Sequence, residues 1–171
     1  PDTVRRALDA IVVDYRGLTP LVDPELAEEA PPIHPDGNLI RRIHLRHGPQ
    51  GAVGDGVCEG TYEVGRQDQA PLGTESGLAV PDDRGGVDLY VSTQWLHADR
   101  DQVAACLGLE PEAVRLTLAG VGGAFGARED ISLHVHLCLL ALHTGRPVKM
   151  SYSRTESFHV HVHRHPSRMW Y

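Results

Sequence analysis

Gly122-Gly123-Ala124-Phe125-Gly126-Ala127-Arg128-Glu129 is the stretch whose reading decides the fold of this chain. Before it, Arg115-Leu116-Thr117-Leu118 alternates polar and apolar residues as a half-buried strand does. After it, Ile131 to His143 is an apolar run long enough for a buried helix. A glycine-rich loop between strand and helix exposes main-chain amides beside a helix N-terminus, which favours an anionic ligand. Gly120, Gly122, Gly123 and Gly126 permit positive φ and the close approach of a bulky group. Turn geometry does not require Phe125, and an aromatic ring in a loop is costly to expose. The pattern is neither the dinucleotide GxGxxG nor the P-loop. Taken alone, it reads as a tight structural turn.

The rest of the chain places that loop in an α+β fold. Val4, Ala7, Leu8 and Ile11 have helical spacing over residues 3–11, and Ile11 to Tyr15 reads as a short strand. Residues 17–38 carry five prolines and no sustained periodicity, so they read as a connector, with Leu39 to Leu45 a candidate strand. From Val57 the texture changes to strands and turns. Val57 to Val64 and Gly77 to Val80 are candidate strands, and residues 81–86 are a hairpin-type turn before an alternating strand from Val87 to Ser92. Asp99 to Leu107 reads as a helix ended by Gly108, and a strand at 148–153 follows the helical run at 131–143. Mixed strands and helices imply α+β, a mixed sheet with packed helices, and a domain boundary near residue 55.

Composition narrows the function classes. A net charge of −7 argues against a nucleic-acid partner. Cys58, Cys106 and Cys138 are widely spaced and form no CxxC, so neither a zinc site nor an iron–sulfur cluster is encoded by cysteine. Cys106 and Cys138 lie in apolar helical runs and are expected to be buried thiols, in keeping with a reducing, cytoplasmic setting. No apolar run reaches the length of a membrane span, and no signal peptide is visible. His159, His161, His163 and His165 alternate, and in a strand all four would line one face. Same-face neighbours in a strand are about 6–7 Å apart, so zinc there would need a ligand from elsewhere. His134 and His136 are two apart in a helix and cannot share a metal.

Four motifs in order resemble one family. They are Val91-Ser92-Thr93-Gln94, the loop at 122–129, Thr144-Gly145-Arg146-Pro147-Val148-Lys149, and Arg164-His165-Pro166. From about Glu59 to Arg168 the chain resembles the large, molybdenum-binding subunit of the xanthine dehydrogenase and aldehyde oxidase family. The run from Glu63 to Gly73 looks most like the split bacterial xanthine dehydrogenases. The resemblance implies that residues 56–171 are the first part of a molybdopterin-binding domain. It makes residues 1–55 the end of a preceding α/β domain and a proline-rich connector. Gln94 would give a neutral amide N–H to an oxygen ligand of molybdenum, with Phe125 beside the metal. Gly122, Gly123, Phe125 and Gly126 would cradle the cofactor. Glu129 would be the catalytic position facing substrate, since purine oxidisers carry glutamate there and many aldehyde oxidases an apolar residue. From the residues alone, Glu129 is an acid at the first turn of a helix.

The implied activity is oxidation of a purine such as xanthine or hypoxanthine, with water supplying the oxygen. Electrons would leave through FAD and iron–sulfur clusters on other domains or subunits. The chain begins at Pro1 and stops at Tyr171, before the family's glutamate base, so it is expected to be an internal piece, inactive without the remainder of the molybdenum subunit. Departures from the family pattern are Ala124 for glycine, Ala127-Arg128 for Gly-Lys, and Gly73 for a glutamate, with Glu75 two residues later. The resemblance gives the last histidine pair structural roles. Competing readings are a hydroxylase of aldehydes or other N-heterocycles, and a non-catalytic metal- or nucleotide-binding module.

Overall fold

The computed structural model describes residues 2–49, 51 and 54–171. It divides into two units, Pro1–Gly56 and Val57–Tyr171. The first contains helix α1 (Asp2–Ala10) and a short turn at Pro24–Leu26. Asn38 is its polar hub. The amide nitrogen donates to the carbonyls of Ala27, Ala30 and Pro31, and the side-chain oxygen accepts from Ile33 N–H. Arg42 pairs with both oxygens of Glu28 at 2.8 Å. The strands expected at Ile11–Tyr15 and Leu39–Leu45 do not form. Apolar alternation makes a strand only where a neighbour takes its N–H and C=O groups, and no ladder reaches either segment among the described residues.

The second unit holds the core. A four-stranded sheet has the order β4-β3-β2-β5, formed by β2 (Ser76–Pro81), β3 (Val87–Val91), β4 (Val114–Leu118) and β5 (Val148–Ser151). Strands β2 and β3 make an antiparallel hairpin in which Pro81 faces Val87. Asp82 closes the hairpin turn by accepting from the N–H groups of Arg84 and Gly86. Helix α2 (Leu96–Leu107) carries the chain across to β4, which runs parallel to β3. Helix α3 (His134–Thr144) leads to β5, antiparallel to β2. A separate ribbon pairs β1 (Thr61–Val64) with β6 (Ser167–Trp170), after helix α4 (Arg154–Val160).

Alternation in β3 turns Val87, Leu89 and Val91 inward, where they meet Val103 and Ala104 of α2 and Leu137, Cys138 and Ala141 of α3. Gly108 and Gly145 end α2 and α3 in the left-handed conformation, as terminal glycines do. Cys138 is buried and its thiol is pushed up to about 11 by burial. Cys106, expected inside, is exposed. It sits two residues beyond buried Ala104, about 200° around the helix.

Gly77 lets α3 lie on β2. A Cβ there would stand 2.7 Å from Leu137 Cδ1 and 3.1 Å from the Tyr90 carbonyl oxygen. Gly77→Ala is therefore expected to overpack the sheet–helix contact and cost about 1–3 kcal/mol, with the urea midpoint falling and the m-value unchanged. An unchanged midpoint would show that α3 can move away freely.

Candidate functional site

Because β3 and β4 are parallel, their C-terminal ends leave the sheet at the same edge. Ser92-Thr93-Gln94 thus emerges beside the glycine loop. The C-terminal edge of parallel strands is where α/β proteins commonly place ligand sites. Ala119 N–H donates to Val91 C=O at 2.9 Å, and the Ser92 hydroxyl donates to Gly120 C=O at 2.5 Å. Gln94 then clasps the loop at three points. Its own N–H donates to Arg128 C=O at 2.9 Å. Its side-chain oxygen accepts from Gly126 N–H at 3.1 Å and Arg128 N–H at 3.3 Å. Two main-chain donors fix which end of the amide faces the loop, so the NH₂ end points away from them, free to donate outward.

The loop itself carries two local costs in one residue. Phe125 has φ +55° and is 78% exposed. A bulky side chain at positive φ is a true outlier, of the kind that clusters at functional sites. Gly126 follows at φ +89°. A Cβ on Gly126 would meet nothing closer than Gln69 Nε2 at 3.8 Å and Glu129 Oε1 at 3.9 Å. The protein itself leaves room there. A side chain would instead project into an adjoining cleft of about 790 Å³, lined by Gln69, Gly126, Glu129, Asp130 and the 159–166 segment. Gly126 and Glu129 line that cleft, whereas Gln94, Gly122, Gly123 and Phe125 do not.

Glu129 is exposed and lies outside any helix. The expected helix from 131 begins only at His134, so Glu129 does not sit in a first turn, and a macrodipole role is removed. Arg128 is a clamp that the sequence did not reveal. It is 5% exposed, and its guanidinium donates to Gly73 C=O at 2.6 Å and Gly123 C=O at 3.3 Å. A Cβ on Gly73 would lie 3.9 Å from the Arg128 Nη2. Glu75, two residues beyond Gly73, is buried, with its carboxylate 3.4 Å from His161 Nδ1. The histidine strand is also absent. Ser153 and Glu156 form a capping box that starts α4, which runs through His159 and stops at Val160. A sequence signal for this was present in Ser153-x-x-Glu156.

Behind the clasp lies a buried polar set. Thr93 donates its hydroxyl to Asp99 on α2 and accepts from Trp95 N–H. Burial raises the Asp99 pKa. His134 Nδ1 accepts from Ser132 N–H, and its Nε2 lies 3.9 Å from Asp99. Burial, aided by the charge of Arg128, pushes His134 down to about 4.

The fold of this chain has counterparts among known proteins. Residues 38–171 match the molybdopterin cofactor-binding domain. The chain belongs to that family. This molybdopterin-binding domain is 40% identical over 174 residues to the nicotinate dehydrogenase large molybdopterin subunit of Eubacterium barkeri, covering 99% of this chain and 41% of that protein. It is 37% identical over 168 residues to a probable xanthine dehydrogenase subunit of Bacillus subtilis, covering 95% of this chain and 23% of that protein. The domain thus spans less than half the length of either relative. Among solved structures, the quinoline 2-oxidoreductase of Pseudomonas putida 86 superposes with a TM-score of 0.83 at 26% identity, over 96% of this chain and 22% of that one. The α+β reading of the sequence agrees with that fold. The residues suit the cofactor. Gly126 keeps open a space that a Cβ would fill, and the Gln94 amide has a donor to spare.

His134 gives the domain a pH signature. Its folded pKa lies below its unfolded value of 6.5, so between about 6.5 and 4 the unfolded chain binds more protons. Stability should therefore be flat above 6.5 and fall as pH drops through that window. By pH 5 the loss from this group is on the order of 2 kcal/mol. The raised pKa of Asp99 acts in the opposite sense above 3.8, so the variant comparison isolates the histidine. Denaturation at pH 7 and 5 should show a shallower acid loss for His134→Gln than for wild type. Equal losses would mean His134 titrates normally.

Proposed function

We propose that this domain is the N-terminal part of the cofactor domain of a molybdenum hydroxylase that oxidises a purine such as xanthine or hypoxanthine, taking oxygen from water. The observation that carries the reading is the Gln94 clasp, which holds the amide oxygen on the glycine loop and turns its neutral NH₂ donor away from it. Bound molybdopterin would supply the two-electron redox centre. Gln94 would offer an N–H to an oxygen ligand of that group without surrendering the proton. Gly122, Gly123, Phe125 and Gly126 would line the approach of its backbone-facing side. Glu129, exposed on the cleft beside Gly126, would orient the substrate ring through its carboxyl group. In this reading FAD and iron–sulfur clusters sit on other domains or subunits, and residues 1–55 close a preceding domain and connect it. The remainder of the molybdenum subunit completes the site. A cytoplasmic location accords with this reading, and no helix among the described residues is long and apolar enough to cross a membrane.

A second reading is an N-heterocycle hydroxylase acting on a pyridine such as nicotinate. It is favoured by the 40% identity to a protein of that name. Both readings use Glu129 on ring nitrogens, and an aldehyde offers none.

In the complete enzyme, Glu129→Val should leave substrate nitrogens unpaired at a loss of roughly 1–3 kcal/mol. The ratio of kcat/KM for xanthine over benzaldehyde should fall about tenfold or more. Equal slowing of both substrates would remove Glu129 from substrate selection. A wild-type preference for nicotinate over xanthine would favour the second reading.

A further inference from the structure

We infer that Asp68, His161 and His163 form a site for a divalent transition-metal ion with the ligand preferences of zinc, independent of molybdopterin. Asp68 Oδ2 lies 2.9 Å from Nε2 of His161 and 2.9 Å from Nε2 of His163. One ligand atom from each residue falls within 4.8 Å of the others. Zinc bonds of about 2.0–2.2 Å place tetrahedral ligand atoms roughly 3.3–3.5 Å apart, so each histidine nitrogen need open from the carboxylate oxygen by only about half an ångström. The two imidazole rings lie with centroids 4.9 Å apart.

The aim of the atoms is the stronger observation. Although they are close, Asp68 Oδ2 and His161 Nε2 make no hydrogen bond with acceptable geometry. The His161 side chain is 1% exposed. A buried imidazole nitrogen and carboxylate oxygen that approach without pairing are costly, and a shared cation removes that cost. His161 is also held from behind. Its Nδ1 lies 3.2 Å from the Ser157 hydroxyl and 3.4 Å from Glu75 Oε1. A carboxylate there draws the ring proton to Nδ1 and leaves the Nε2 lone pair directed at the site, the usual support of a metal-bound histidine. Both Glu75 oxygens lack other partners among the described residues. Two imidazoles and one carboxylate suit zinc, and three protein ligands leave a position open to the cleft that His161 and His163 line. Asp68 is the ligand from elsewhere in the chain that the histidine spacing demanded.

One contact opposes the ion and supplies a handle. Arg66 Nη2 lies 2.9 Å from His163 Nδ1. Arginine can only donate, so without metal His163 carries its proton on Nε2. Metal at Nε2 shifts that proton to Nδ1, which can then no longer accept from Arg66, so binding must release Arg66, which is exposed and able to leave.

The test is zinc binding to the chelator-treated intact protein, followed by equilibrium dialysis with metal analysis and zinc-edge X-ray absorption. One zinc per chain with two imidazole ligands is expected. Asp68→Asn and His161→Gln should each weaken binding at least tenfold, Arg66→Gln should tighten it, and His159→Gln should leave it unchanged. No saturable zinc, or binding that survives both ligand substitutions, would overturn the site. If His161→Gln does not fold, Asp68→Asn and Arg66→Gln still decide, and zinc affinity that neither changes would also overturn it.

Discussion

The site depends on one amide. The Gln94 side-chain oxygen takes the N–H groups of Gly126 and Arg128, and its main-chain N–H donates to the Arg128 carbonyl. Each neutral hydrogen bond is worth only about 0.5–1.5 kcal/mol. Their value lies in direction. They lock the loop to the end of β3 and leave the amide one orientation. The parallel pairing of β3 and β4 makes the clasp possible, because it brings both strand ends to one edge. The loop then holds Phe125 at positive φ, a conformation of order 1–3 kcal/mol in cost that persists only where neighbours impose it.

Those neighbours form a second layer. Arg128 ties the loop to Gly73, and Arg154 donates to the carbonyls of Pro71 and Leu72 at 2.6 and 3.0 Å. The stretch before β2 is therefore held by two guanidiniums from different parts of the chain. Thr93 and Asp99 fix the turn that carries Gln94. An arginine at 128 performs this clamping with a fork of donors that a lysine could not reproduce at both carbonyls.

Much of this was legible in the sequence where a pattern was local. The β2–β3 hairpin, α2 with Gly108 at its end, and β4 before the glycine loop follow from alternation, helical spacing and turn residues. The resemblance drawn from Ser92-Thr93-Gln94 and the loop agrees with the family match. What was not legible depended on distant partners. Ile11–Tyr15 and Leu39–Leu45 have strand-like composition, but no ladder reaches them among the described residues. The apolar run after the loop suggested a helix from 131, yet the helix starts at His134, which frees Glu129 from the helix end. The histidine alternation suggested a strand, but the Ser153 capping box wound its start into α4. Asp68 and Glu75 gained meaning only when the fold brought His161 between them.

If the clasped loop faces the molybdenum cofactor, the metal must lie where the outward amide points. The most direct measurement is a crystal structure of the intact holoprotein with anomalous scattering recorded at the molybdenum edge. The anomalous peak is expected in front of the outward NH₂ of Gln94 and the Phe125–Gly126 main chain, with the Gln94 oxygen still on the loop amides. A peak remote from these groups, or a Gln94 amide turned away from the loop, would contradict that placement.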